Sequence, residues 1–135
     1  MAETHVTSIP VRFQDIDAMG HVNNSEYPNF LAEARAGYYD EVLNYDLRSA
    51  DTVIVHMAID YHSEITRGDV VDIEVKVTDL GTSSLIMEYT LCVGEEVVST
   101  AETVQVIYDN ESGSSRPIPT DWRRRIEAHE GVDSA

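Results

Sequence analysis

Lysine is almost missing from this chain: Lys76 is the only one, and with eight arginines it makes nine bases against 25 acids. The formal net charge of −16 argues against nucleic acid or an anionic membrane as a partner, because two polyanions gain nothing from counterion release on meeting. The acids are spread along the chain rather than gathered in a tail. That spread suits a protein adapted to molar salt, where self-repulsion is screened within ~3 Å at 1 M. Cysteine is equally scarce. Cys92 alone excludes an intramolecular disulfide and a cysteine-based zinc site, and between Leu91 and Val93 it reads as a small buried hydrophobe. No apolar run approaches the ~20 residues of a membrane helix. Residues Met1 to Pro10 lack the basic-then-apolar pattern of a secretory leader, so a soluble cytoplasmic protein is expected. Repeats, low-complexity stretches and linkers are absent too. The expectation is one domain over 1–135, with a core at about 5–110 and a tail at 111–135.

What is present is strong periodicity. His5 to Phe13 alternates as a strand, and Pro10 places it at an edge or bulge. After a polar segment from Asp15 to Asn24, Tyr27, Leu31, Ala34, Tyr38 and Val42 recur at helical spacing, predicting a helix from about Ser25 to Leu43 with Asn24 or Ser25 as its cap. From Thr52 to Tyr108 the period returns to two, in four strands separated at Arg67–Asp69, at Gly81 and at Gly94-Glu95. A short helix near Asp121 to His129, capped by Thr120, ends the pattern. A sheet of this size needs a cover for its apolar face, and only one helix is long enough. The expected fold class is therefore α+β, an antiparallel sheet of five strands wrapped around one long helix.

Chemistry concentrates at residues 13–29, where Asp15, Asp17, His21, Asn23 and Asn24 crowd before the predicted helix start. Unpaired backbone N–H groups there can polarise a carbonyl oxygen while a carboxylate acts as nucleophile or general base. Gly20 would allow close backbone approach. Asp and Asn also gather at turns for local reasons alone, so these residues by themselves divide evenly between the two readings.

The string Asp-Ile-Asp-Ala-Met-Gly-His-Val-Asn-Asn, with Tyr27 and Glu33-Ala34-Arg35 after it, resembles the 4-hydroxybenzoyl-CoA thioesterase branch of the hot-dog superfamily, over roughly Val6 to Tyr108. The lysine-poor composition resembles that of salt-accumulating halophilic archaea. The first resemblance implies a hot-dog fold, hydrolysis of acyl-CoA without a cofactor, and a homodimer or homotetramer. It implies that Asp17 is the catalytic carboxylate and that amides around Gly20 to Val22 hold the oxyanion. His21 matches a catalytic histidine of related plant enzymes, although Met19 stands where those carry asparagine. Glu64, in Asp60-Tyr61-His62-Ser63-Glu64, is a second carboxylate expected at a dimer interface. Asn24 and Tyr27 would line the acyl pocket, with Phe30, Tyr38 and Met57 as further candidates. Arg67 is the candidate for a CoA phosphate, ahead of the Arg123-Arg124-Arg125 run. Asp15 reads as a turn residue. His56, His62 and Asp60 share a strand face but define no third ligand, so no metal is expected. The rival function is a non-catalytic acyl-CoA-binding regulator on the same fold.

Overall fold

The computed structural model describes residues 4–45 and 52–131. Strand β1 (His5–Pro10) leads through a 3-10 turn (Phe13–Asp15), a loop and a second 3-10 turn (Asn24–Glu26) into helix α1 (Tyr27–Tyr38), which continues as a π-helical turn (Tyr39–Leu43). Four strands follow: β2 (Thr52–Tyr61), β3 (Val70–Leu80), β4 (Ser84–Val93) and β5 (Glu96–Asp109). A two-residue strand β6 (Ser114–Ser115) folds back on β5, and helix α2 (Thr120–Glu130) closes the chain.

The sheet is antiparallel in the order β1-β3-β4-β5-β2, so β1 and β2 are its edges. Pro10 occupies the last position of edge strand β1, opposite Val70, where its missing N–H costs least. The sheet curls around α1, which is the hot-dog arrangement. On the helix, Tyr27, Phe30, Leu31, Ala34 and Tyr38 are at most 2% exposed. They meet Val71, Ile73, Val75 and Val77 of β3 and Leu85, Met87, Tyr89 and Leu91 of β4, all equally buried. The two patterns interlock because 3.6-residue and two-residue periods each deliver one continuous apolar face.

Two helix caps differ from expectation. Asn23, rather than Asn24 or Ser25, caps the helical region: its Oδ1 accepts the Ser25 N–H at 2.9 Å. A three-residue 3-10 turn precedes α1, which moves the start back by one position. Thr120 lies inside α2; Pro119 precedes the helix without a side-chain cap, since proline's fixed φ already suits the entry. At the other end of the central helix, Asn44 adopts a left-handed conformation (φ 53°) that stops the π turn.

Helix α2 plugs the end of the sheet opposite the start of α1. Trp122 packs edge-on against Tyr39 and Tyr45, and Arg123 donates to the Gly81 carbonyl. Arg125 pairs with Asp121 one turn back at 3.0 Å. Two of the three arginines in that basic run are therefore occupied within the chain. Glu130 binds more deeply: its Oε2 accepts from Tyr38 Oη at 2.7 Å and from the Val77 N–H at 2.8 Å. Strand β1 pairs with β3 only as far as Val75, so the carboxylate serves an amide that the edge strand does not reach. Glu130→Ala leaves both donors without an acceptor and is expected to cost about 1–3 kcal/mol. Glu130→Gln, which keeps one acceptor oxygen, should cost less; thermal unfolding of the two variants beside wild type measures the difference.

Candidate active site

The loop between β1 and α1 is built on Asp15, the one fully buried carboxylate among the described residues (0% exposed). Its Oδ2 accepts from the Arg12 N–H (2.8 Å) and Nε (3.3 Å), and its Oδ1 from Arg12 Nη2 (3.0 Å). Its backbone carbonyl accepts the Asn23 N–H at 2.8 Å. Burial pushes the carboxyl pKa up, but the bonds from Arg12 and its charge outweigh this and hold it below the ordinary 3.8. Asp15 is thus the anchor of a small hairpin in which Ile16 pairs with Val22.

Asp17 stands inside that hairpin. Its Oδ1 accepts the N–H groups of Met19 (2.9 Å) and His21 (3.3 Å), while no partner holds Oδ2 among the described residues. Gly20 closes the turn with φ +83°, a conformation a side chain would strain. His21 pairs across to Thr66, and its Nε2 lies 3.1 Å from Glu64 Oε2. Glu64 and His21 therefore meet within one chain.

A cleft of about 450 Å³ opens at this point, lined by Asp17, His21, Val22, Asn23, Asn24, Tyr27 and the segment Tyr61 to Ile65. All three candidate catalytic residues face it, as do Val22, Asn24 and Tyr27. Gly20 lies in the adjoining turn. Arg67 is exposed, one residue beyond the Thr66 pairing, and is not among the residues that line the cleft. Tyr61, His62 and Ser63 also line the cleft. Alternation along β2 places Tyr61 at the strand's end, but only the fold brings it against Tyr27, with ring centroids 4.7 Å apart and planes at 80°.

The backbone amides differ from expectation. The N–H groups of Gly20, His21 and Val22 are bonded to Asp17 O, Asp17 Oδ1 and Ile65 O. Asn24 N–H, first in the helical region, has no partner among the described residues. The free backbone donor thus sits at the helix start rather than in the turn before it.

Other candidates separate from the cleft. Phe30 lines a different groove, about 660 Å³, between β1 and α1, together with Arg12, Asn29 and Glu33. Tyr38 lies at the far end of α1 with Glu130. His56 sits 3.6 Å from Glu102, away from the cleft, whereas His62, which lines the cleft, bonds to Thr100. Among the described residues no three His, Cys, Asp or Glu side chains gather to hold a metal. No described helix is long and apolar enough to cross a membrane.

The family model described as "Thioesterase-like superfamily" matches residues 11–126. The 1,4-dihydroxy-2-naphthoyl-CoA hydrolase of Synechococcus elongatus is 30% identical over 122 residues, covering 83% of this chain and 89% of that protein. A Thermus thermophilus thioesterase, solved with coenzyme A and zinc, is 33% identical and superimposes with a TM-score of 0.86 over 95% of each chain. A 1,4-dihydroxy-2-naphthoyl-CoA thioesterase from Synechocystis, 20% identical, shares the fold at a TM-score of 0.80 over 92% of this chain and 96% of that one. By sequence and architecture, the chain belongs to the thioesterase-like superfamily.

Proposed function

We propose that this protein hydrolyses acyl-CoA thioesters in the cleft at the start of α1, with Asp17 as the reacting carboxylate. One observation carries the reading: a carboxylate with a free oxygen, a histidine–glutamate pair and an unbonded helix-start N–H line the same cleft. A thioester is already activated, so carboxylate and oxyanion donors suffice without a cofactor.

In the general-base route, water adds its oxygen to the thioester carbon as Asp17 Oδ2 takes its proton. The carbonyl π pair moves onto oxygen, where the Asn24 N–H and the positive end of the helix dipole stabilise it. The pair then returns, the C–S bond breaks, and the departing CoA sulfur takes the proton back. In the nucleophilic route, Oδ2 attacks the same carbon and CoA leaves first; water then hydrolyses the mixed anhydride. Both routes need the same free oxygen. Glu64 holds and polarises His21, which stands beside the leaving group. Val22 forms the apolar wall, Gly20 lets the turn approach the substrate, and the exposed Arg67 meets a CoA phosphate.

The motif supports the 4-hydroxybenzoyl-CoA branch, and the naphthoyl-CoA relative supports an aryl acyl group as the first to try. The acid surplus supports a cytoplasm of molar salt, as in halophilic archaea. One domain accounts for the continuous core. The second edge strand supports a homo-oligomer. Val53, Ile54 and Val55 of β2 are exposed on an unpaired edge, a surface that a second copy would cover.

Release of CoA thiol from benzoyl-, naphthoyl- and straight-chain acyl-CoAs, measured in about 2 M KCl, tests the reading; high salt keeps the acidic chain folded. Turnover of at least one substrate is expected. Binding of acyl-CoA without any hydrolysis by folded protein would replace the enzyme with the regulatory binding module.

A further inference from the structure

Tyr27 combines three properties that packing alone does not require. Its ring is 2% exposed, it lines the cleft, and its hydroxyl has no hydrogen-bond partner among the described residues. Buried phenols normally find a partner. Elsewhere in this chain they do: Tyr38 Oη donates to Glu130, Tyr39 Oη to Gln105, and Tyr89 Oη shares a bond with Thr103. No sealed side-chain polar atom among the described residues lacks a partner, so the Tyr27 hydroxyl keeps its small exposure on the cleft side.

The helix sets the direction of this hydroxyl. Side chains on a helix lean toward its N-terminus, and residues three apart are neighbours on one face. Tyr27 is three residues after Asn24, and both line the cleft. The phenol therefore leans toward the free Asn24 N–H. The edge-on contact with Tyr61 fixes the ring from the sheet side. Burial, with Tyr61 nearby, raises the Tyr27 pKa, which keeps the group a neutral donor.

We propose that Tyr27 is a catalytic residue whose Oη–H donates to the thioester carbonyl oxygen beside the Asn24 N–H, completing a two-donor oxyanion site. This rests on the hydrolytic reading above. A neutral donor aimed at that oxygen strengthens its bond as charge develops there, so it acts on kcat more than on KM.

Tyr27→Phe keeps the ring, its burial and its contact with Tyr61, and removes only the hydroxyl. The expected result is a kcat about 10- to 100-fold lower with KM within a few-fold of wild type. A second measurement reads the contact without turnover. Titration calorimetry compares two inert CoA analogues, a ketone that replaces the thioester sulfur by methylene and a thioether that lacks the carbonyl. Wild type should favour the ketone, and Tyr27→Phe should lose most of that preference. A variant with wild-type kcat and an unchanged ketone preference overturns the proposal while hydrolysis stands. A wild type that hydrolyses no acyl-CoA overturns the hydrolytic reading and this proposal with it. If Tyr27→Phe proves unfolded by circular dichroism, the wild-type ketone preference decides: its absence overturns the proposal and its presence supports it.

Discussion

Asp17→Asn is expected to lower kcat by about 10²–10⁴-fold while leaving the protein folded and able to bind acyl-CoA. The asparagine can keep the local geometry. Its Oδ1 still accepts from the Met19 and His21 N–H groups, so the turn that carries it should persist. What disappears is the second oxygen, which alone could take a proton from water or attack the carbonyl. The change falls on kcat because the carboxylate contributes to charge movement in the transition state rather than to holding CoA. Measurement of kcat and KM in about 2 M KCl, with melting curves of both proteins, separates the effects. A variant that turns over at the wild-type rate would remove Asp17 from the chemistry. One that also melts far below wild type would recast the residue as a turn-former.

The sequence revealed the layout more fully than the site's details. Alternation of Val71, Ile73 and Val75 with Asp72, Glu74 and Lys76 identifies β3, because burial on one face leaves a direct trace in composition. The apolar stripe from Tyr27 to Val42 does the same for the central helix. Strand β5 is less transparent. Its fully buried positions include Thr103 and Gln105, while Val104 and Val106 are only partly buried. Polar residues can face inward there because Tyr89 Oη bonds to Thr103 and Tyr39 Oη to Gln105, and such long-range pairing leaves no local pattern. The same limit applies to the cleft. The motif brought Asp17, His21, Asn24 and Tyr27 into view, but not which donors were free. Gly20, His21 and Val22 appear available until the hairpin and its pairing with Ile65 and Thr66 are known. Tyr61 enters the site only because β2 ends beside the start of α1.

The two aspartates of the motif should fail in opposite ways. Asp15→Ala is expected to destabilise the fold by about 2–4 kcal/mol, since it removes a buried, charge-assisted set of bonds and leaves the Arg12 N–H without its acceptor. Asp15→Asn retains the volume but presents an amide to a guanidinium, and should recover only part of that loss. Because Asp15 anchors the hairpin bearing Asp17, activity should fall with it, but only as the folded fraction falls. Acid provides an independent readout. The folded Asp15 carboxyl lies below 3.8, so its stabilising contribution is fully present above that pH and is lost as pH drops through the folded value. Wild type should therefore lose stability below about pH 4 more steeply than Asp15→Asn, which has no proton to take up at this position. Equal slopes would show that Asp15 contributes little through its charge. Together with Asp17→Asn, stable and inactive, the pair distinguishes a residue that holds the loop from one that reacts.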